Sequence, residues 1–309
     1  MRRPVVIDTD PGQDDAVALL LALASPELEV VGVTTVAGNV PLARTSQNAL
    51  KVCELAGRTD LAVFAGADRP LQRELVTAEY VHGATGLDGA DLPDPEMTLR
   101  PGHAVDFLIE TATGRPGLTV CTLGPLTNVA LALQREPGLA RHVDQIVLMG
   151  GGFSEGGNRT PAAEFNIYVD PHAADLVFRS GIPLTMLPLD VTHQALILPD
   201  HLARLRALGT RVGEVVAGWL DFFERYDLER YGGVGGPLHD PCVIGYLLWP
   251  DLFGGKDCNV MIETESPLTM GMTVVDWWRA SGRPANCRVV RSLDSPAFFD
   301  LLIERLARL

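Results

Sequence analysis

The chain is poor in cysteine, lysine and aromatic residues, and it contains no long apolar run. Its five cysteines are odd in number and scattered, with no Cys-x-x-Cys pair, which argues against a disulfide framework and a zinc site. Buried free thiols in a reducing compartment explain them best, so we expect a cytoplasmic protein. The longest apolar runs, residues 16–24 and 242–249, are too short to span a bilayer, and residues 1–3 do not resemble a signal peptide.

Positive charge is also scarce. The 39 acidic residues outnumber 25 lysines and arginines, which gives a net charge of −14. A nucleic-acid surface needs a basic stripe, so we expect no nucleic-acid partner. A nucleoside, which carries no phosphate, is not excluded. The 309 residues, 47% of them hydrophobic, can bury a large core as one or two domains. Without an internal repeat or a clear linker, we favour a single domain over residues 1–309.

Strand and helix patterns alternate along the chain. Strands are predicted over residues 5–9, 29–36, 61–65, 118–123, 145–149 and 183–187. Helices are predicted over residues 14–24, 42–56, 170–180 and 212–225, and a further helix ends at Leu133. This βαβ series predicts an α/β fold, with a mostly parallel central sheet and helices on both faces, as in Rossmann-like proteins.

The most informative segment places four carboxylates within eight residues: Asp8, Asp10, Asp14 and Asp15. A turn at Pro11-Gly12 can bring the strand end back against the helix start, and the period of two puts Asp8 and Asp10 on one strand face. Acidic residues also favour the first turn of any helix, which alone would account for Asp14 or Asp15. The whole group instead favours a bound cation, and Ca²⁺ suits several flexible oxygen ligands best.

Other polar segments also follow predicted strands, at Asn39, residues 123–128 and residues 149–152. In open α/β sheets ligands bind beyond the carboxyl ends of the strands, so we expect one composite site there. The glycine-rich residues 232–236 form either a loop that moves beside this site or a plain connector. Five histidines show no partnering pattern, and we expect them to be structural: His103, His142, His172, His193 and His201.

An ordered set of motifs extends this pattern over most of the chain. After the Asp-Thr-Asp-Pro-Gly-x-Asp-Asp opening come residues 37–39, 82–87, 123–128, 149–151, 164–171 and 239–241. Together these motifs closely resemble the inosine-uridine-preferring nucleoside hydrolase family, from about Val5 to about Leu248. The resemblance implies the nucleoside hydrolase fold and hydrolysis of ribonucleosides to free base and ribose, in nucleoside salvage.

Residue roles follow from this resemblance alone. It implies Asp10, Asp15, Asp240 and the main-chain carbonyl of Leu123 as ligands of Ca²⁺, with Asp10 also the general base for the attacking water. His239 is implied as the group that helps the base to leave, and His82 as a second histidine at the base end of the site. The set implied to hold the ribose is Asp14, Asn39, Asn158, Glu164 and Asn166, with Met149 packing near the sugar.

The chemistry of these residue types suits those roles. Positive charge develops on the ribose as the glycosidic bond breaks, and nearby carboxylates stabilise it. Glu164 and Asn166 alternate on a strand-like face, so both can point at one ligand. An imidazole of ordinary pKa can donate a proton to the leaving base near neutral pH. The presence of both histidines favours a pyrimidine-capable or broad specificity, and the resemblance implies a homotetramer or homodimer.

Two alternatives stay open on the sequence. One is a Ca²⁺-dependent nucleoside-binding protein without turnover, which would be expected to lack Asp10 or Asp240. The other is a phosphatase of the haloacid-dehalogenase type, with Asp8 as nucleophile and Asp10 as acid. That chemistry also needs a later lysine and a second acidic motif. The chain has only Lys51 and Lys256, and no such acidic motif.

Overall fold

A computed structural model describes residues 2–232 and 235–309 of the chain. Within these residues nine strands form one sheet. The strands are β1 (Arg3–Thr9), β2 (Leu28–Thr35), β3 (Val63–Ala65), β4 (Leu118–Thr122), β5 (Val143–Met149), β6 (Leu184–Leu187), β7 (Phe253–Ile262), β8 (Thr273–Asp276) and β9 (Cys287–Leu293).

The strand order is β3-β2-β1-β4-β5-β6-β9-β7-β8. All pairs from β3 to β9 are parallel, whereas β7 pairs antiparallel with both β9 and β8. The prediction of a mostly parallel sheet is therefore confirmed. The order reverses between β1 and β4, and a crevice forms at such a switch point beyond the carboxyl ends of the two strands. The chain that leaves β1 there carries Asp10, and the chain that leaves β4 carries Leu123.

Helices cover both faces of the sheet. They are α1 (Gln13–Leu23), α2 (Leu42–Leu55), α3 (Glu79–His82), α4 (Ala104–Gly114), α5 (Thr127–Arg135), α6 (Phe165–Val169), α7 (Pro171–Phe178), α8 (Leu189–Thr192), α9 (Pro199–Ala207), α10 (Arg211–Tyr231), α11 (Pro241–Leu248) and α12 (Ser295–Leu306). Alternation along β1 puts Val5 and Ile7 in one apolar core and Val6 in the other. Among the described helices, none combines the length and apolarity that a bilayer crossing requires.

One predicted boundary differs in a way that matters for the site. The helix predicted over residues 212–225 continues to Tyr231 and ends at Gly232, whose φ of 64° lies in the left-handed region. Tyr226 is therefore a helical residue. Residues 233 and 234 of the glycine-rich stretch lie outside the described part of the chain, and so does the prediction that this loop moves.

The prediction that Asp8 belongs to the acidic group is wrong. Asp8 is fully buried in β1, where its Oδ1 accepts hydrogen bonds from Thr34 Oγ1 at 2.5 Å and Asn128 Nδ2 at 2.7 Å. Burial raises the pKa of Asp8 to about 6. Asn128 also donates to the carbonyl of Thr35 at 3.0 Å and accepts from the amide of Ala67 at 2.8 Å. Asn128 thus ties β1, β2 and the loop after β3 together beneath the crevice.

We expect Asn128→Ala to lower the free energy of unfolding by about 2–4 kcal/mol, because it leaves several buried polar groups without this partner. Urea unfolding, followed by circular dichroism, measures the change. Asn259→Ala is the matched control, since half-buried Asn259 donates one hydrogen bond, to the carbonyl of Pro284 at 2.8 Å. Its loss should cost less than about 1 kcal/mol. Equal losses in the two variants would contradict the structural role of Asn128.

Candidate functional site

A cleft opens at the carboxyl ends of the central strands. Besides Ala78, Val81 and Phe165, two groups of residues line it, which we call the polar side and the aromatic side. The polar side comprises Asp14, Asn39, Asn158, Glu164, Asn166 and Asp240, together with Leu123 and Met149; the aromatic side comprises Tyr80, His82, Phe223, Tyr226 and His239. The predicted ribose-holding residues and both predicted histidines therefore line one cleft.

The acidic residues meet at the base of the polar side. Asp14, Asp15 and Asp240 each offer a carboxylate oxygen, and the three oxygens lie within 4.8 Å of one another. Asp15 is held by four donors: its Oδ1 accepts from Thr9 Oγ1 at 2.5 Å and from the Asp10 amide at 3.2 Å. Its Oδ2 accepts from the Gly12 amide and from Asn39 Nδ2, each at 3.0 Å. These bonds fix the turn between β1 and α1. The carboxylate oxygens of Asp14, Asp15 and Asp240 are close enough together to hold one metal ion.

Asp10 is fully buried beside this cluster. Its Oδ2 accepts from the Asn39 amide at 2.7 Å, whereas its Oδ1 has no hydrogen-bond partner among the described residues. The carboxylate fits between two glycines. A β-carbon on Gly38 would lie 2.1 Å from Asp10 Oδ2, and one on Gly124 would lie 2.2 Å from Oδ1. Both glycines are needed because any side chain there would displace Asp10.

Burial and mutual repulsion raise the pKa of these carboxyl groups. Burial, followed by the charge of Asp15, raises the pKa of Asp14 to about 8 and the pKa of Asp10 well above its usual range. The pKa of Asp240 is also raised well above its usual range, by burial and then by the charges of Asp14, Asp15 and Asp10. Such shifts mean that a positive charge is needed to keep all four groups ionised.

Residues 164–166 do not form the strand-like face that their alternation predicts. Glu164 instead begins helix α6: its Oε1 accepts from the Asn166 amide at 2.9 Å, and its Oε2 from the amides of Gly151 and Ile167 at 2.9 and 3.2 Å. Burial raises the pKa of Glu164 to about 7. Asn166 Nδ2 donates to the carbonyls of Leu123 at 2.6 Å and Met149 at 3.2 Å. Both side chains line the cleft from the helix start.

Asn158, which the resemblance places among the ribose-holding residues, also lines the cleft. Its Oδ1 accepts a hydrogen bond from the Phe165 amide at 2.9 Å, which joins the loop before α6 to the start of that helix. Asn158, Glu164 and Asn166 therefore form one connected wall, although Asn158 comes from the loop before α6.

The aromatic side consists of rings from three separate segments. Phe223 from α10 stacks on His82, with ring centroids 5.6 Å apart, and meets the edge of the His239 ring at 6.4 Å. The rings of Tyr80 and Tyr226 lie 5.4 Å apart. The period of helix α10 places Phe223 and Tyr226 on one face, which the sequence could have shown. A flat heterocycle suits such a surface.

His239 differs from the expected proton donor of ordinary pKa. Its Nδ1 lies 2.8 Å from Thr192 Oγ1. Burial, together with the charges of His193 and His82, lowers its pKa to about 3, so the ring is neutral at pH 7. His193, which we expected to be structural, lies beside it with ring centroids 5.9 Å apart and faces Glu155 Oε2 at 3.3 Å. No sequence pattern links His193 to His239, because the two residues are far apart in the chain.

Comparison with known proteins agrees with this arrangement. The sequence model of the inosine-uridine preferring nucleoside hydrolase family matches residues 5–300. An uncharacterized protein of Schizosaccharomyces pombe is 56% identical over 99% of both chains. The pyrimidine-specific ribonucleoside hydrolase RihA of Photobacterium profundum is 50% identical, again over 99% of both chains. The purine-preferring ribonucleoside hydrolase from Gardnerella vaginalis superposes with a TM-score of 0.93 at 32% identity, over 98% of both chains.

The family match covers nearly the whole chain, and the fold and the cleft agree with it. Hydrolysis of an N-glycosyl bond is the activity that the named relatives share, which sets aside the phosphatase alternative. The chain therefore belongs to the inosine-uridine preferring nucleoside hydrolase family and is a ribonucleoside hydrolase.

Proposed function

We propose that this single-domain protein hydrolyses ribonucleosides with the help of Ca²⁺, accepts pyrimidine nucleosides, and serves nucleoside salvage. One observation carries the proposal: the cleft joins a buried group of carboxylates to a wall of aromatic rings. The first suits a polyol and a cation, and the second suits a flat base. The relative named as pyrimidine-specific, at 50% identity, supports the pyrimidine preference.

The proposed ligands of the cation are Asp10, Asp15, Asp240 and the carbonyl of Leu123. The residues present fit a hard cation, because all these donors are oxygens and because the buried Oδ1 of Asp10 has no described hydrogen-bond partner. The positive charge would also relieve the repulsion that raises the pKa of these carboxyl groups. When bound, Ca²⁺ would hold the ribose hydroxyls and a water molecule and lower the pKa of that water.

Asp10 is the proposed general base. The amide of Asn39 and the two flanking glycines fix its carboxylate, so this carboxylate can receive the proton of a water molecule that attacks the ribose. This rigidity reduces the reorganisation that the proton transfer requires.

The polar wall is proposed to hold the ribose. Asp14, Asn39, Asn158, Glu164 and Asn166 supply carboxylate and amide groups for its hydroxyls, and the buried Met149 packs near the sugar. Backbone amides already orient Glu164, and two backbone carbonyls orient Asn166. Contacts to hydroxyls remote from the reacting carbon can supply binding energy that lowers the barrier there.

His82 and His239 are proposed to lie against the base. In the free cleft His239 is neutral. Negative charge that develops on the departing base would favour a proton on the adjacent imidazole, so His239 can assist departure only as that charge forms. We further propose that the protein acts in the cytosol, which its five buried free cysteines support. A homodimer or homotetramer is proposed from the family resemblance alone.

Substitution of the proposed Ca²⁺ ligands tests their assignment. We expect Asp10→Ala and Asp240→Ala each to lose tightly bound Ca²⁺ and turnover of uridine, because each removes a charged donor from a small ligand set. Metal analysis and free-ribose assays measure the two losses. Asp190→Ala is the matched control: Asp190 is also buried, but it accepts the amides of Phe153 and Ser154 at 2.9 Å each. Stoichiometric Ca²⁺ in both test variants would contradict the ligand assignment.

A nucleoside that lacks the 2′-hydroxyl tests the proposed ribose-holding residues. A site built to bind a hydroxyl leaves its own polar groups unpaired when that hydroxyl is missing. The value of kcat/KM should therefore be at least about 100-fold lower for 2′-deoxyuridine than for uridine. Release of free uracil measures both reactions, and the shared base serves as the internal control. Comparable values for the two nucleosides would refute the ribose-holding wall.

A further inference from the structure

Gln13 occupies the x position of the opening Asp-Thr-Asp-Pro-Gly-x-Asp-Asp motif, and it contacts His82 on the aromatic side of the cleft. It is fully buried at the start of α1. Its Nε2 donates to the carbonyl of His82 at 3.0 Å and to the carbonyl of Asp88 at 2.9 Å. Its Oε1 lies 2.7 Å from His82 Nδ1. One side chain thus binds both the backbone and the ring of His82.

These partners determine the orientation of the amide. Backbone carbonyls only accept hydrogen bonds, so the end of Gln13 that faces them must be the NH₂ group. The opposite orientation would set the amide oxygen against two carbonyl oxygens. The oxygen of Gln13 therefore faces His82 Nδ1, and Nδ1 must carry a hydrogen in order to donate to it.

The same bond determines which nitrogen of His82 is free to accept. Burial lowers the pKa of His82 to about 3, so its ring is neutral at pH 7 and carries one N–H. With that hydrogen on Nδ1, Nε2 keeps its lone pair. The ring cannot tilt away, because Phe223 stacks on it and the space beside Nδ1 is filled up to Gly12, where a β-carbon would lie 2.4 Å from that nitrogen.

We propose that Gln13 is a positioning residue that holds His82 in the Nδ1–H tautomer, so that His82 Nε2 offers a hydrogen-bond acceptor to the base. This inference rests on the proposed function for the placement of the base against the aromatic wall. It specifies the substrate class further: the base must direct an N–H group at His82, as the imide N–H of a uracil ring does. A base alkylated at that nitrogen is then a poor substrate.

Nitrogen NMR of the histidine-labelled protein tests the tautomer without any turnover. In the wild type we expect His82 Nδ1 to give the pyrrole-type signal of a nitrogen that carries a hydrogen, and Nε2 to give the pyridine-type signal of a nitrogen that does not. Both signals are assigned to His82 because they disappear in His82→Asn. In Gln13→Met, which removes the acceptor with little change in volume, the Nε2–H tautomer should become populated. A pyrrole-type Nε2 in the wild type overturns the inference, and this holds even if Gln13→Met does not fold.

Kinetics tests the consequence for the substrate. In the wild type kcat/KM should favour uridine over 3-methyluridine, which lacks the imide N–H. In Gln13→Met this preference should fall by about 10-fold, the usual effect of one hydrogen bond. The bulk of the added methyl group is the same for both proteins, so the change in the ratio measures the hydrogen bond. An unchanged ratio overturns the inference.

Asn48 provides the matched control. Its Nδ2 donates to the carbonyls of Pro11 at 2.9 Å and Thr85 at 2.8 Å, so it joins the same two loops without contacting the His82 ring. Asn48→Leu should keep the tautomer and the substrate ratio of the wild type, whereas a merely structural role of Gln13 predicts that both variants change alike. A wild type that hydrolyses neither nucleoside contradicts the proposed function, and the imidazole signals then still decide the role of Gln13.

Discussion

The fold buries four carboxyl groups close together at the carboxyl ends of the central strands: those of Asp10, Asp14, Asp15 and Asp240. Burial raises the pKa of each carboxyl group, and repulsion from neighbouring carboxylates raises it further for Asp10, Asp14 and Asp240, so the folded cleft resists full ionisation at neutral pH. When folding raises the pKa of a carboxyl group, the folded state becomes less stable as the pH rises from the pKa of the unfolded chain towards the pKa of the folded protein. For Asp14 the pKa in the folded protein is about 8. A bound cation would reverse that cost, so folding and the proposed metal binding and catalysis would depend on the same four side chains.

The rest of the fold serves to hold this group and to face it with aromatic rings. The reversal of strand order between β1 and β4 opens the crevice, and the parallel sheet brings the polar loops to one edge. Hydrogen bonds from Thr9, Gly12 and Asn39 orient Asp15. Helix α10 brings Phe223 against His82 from the far side. The polar side and the aromatic side of the cleft correspond to the two parts of a nucleoside, the ribose and the base.

The sequence predicts local features well and distant contacts poorly. The strand, turn and helix around Asp10 follow from periodicity and the Pro-Gly turn, and they are confirmed. Asp240 joins the cluster only through the folded chain, so it was predicted from family resemblance alone. The strand-like conformation predicted at Glu164 is wrong because alternation resembles a strand, whereas this buried carboxylate accepts three amides at the start of a helix. The bond between Gln13 and His82 spans 69 residues and has no local sequence signal.

Calorimetric titration with Ca²⁺ tests, without altering any ligand, whether a rigid, preformed Asp10 completes the proposed cation site. A β-carbon at Gly124 would lie 2.2 Å from Asp10 Oδ1, whereas one at Gly114 would meet nothing within 4 Å. We expect Gly124→Ala to bind Ca²⁺ at least about 10-fold more weakly than the wild type, as for other changes around metal ligands. Gly114→Ala should bind as the wild type does. Equal affinities in all three proteins would contradict the proposed cation site.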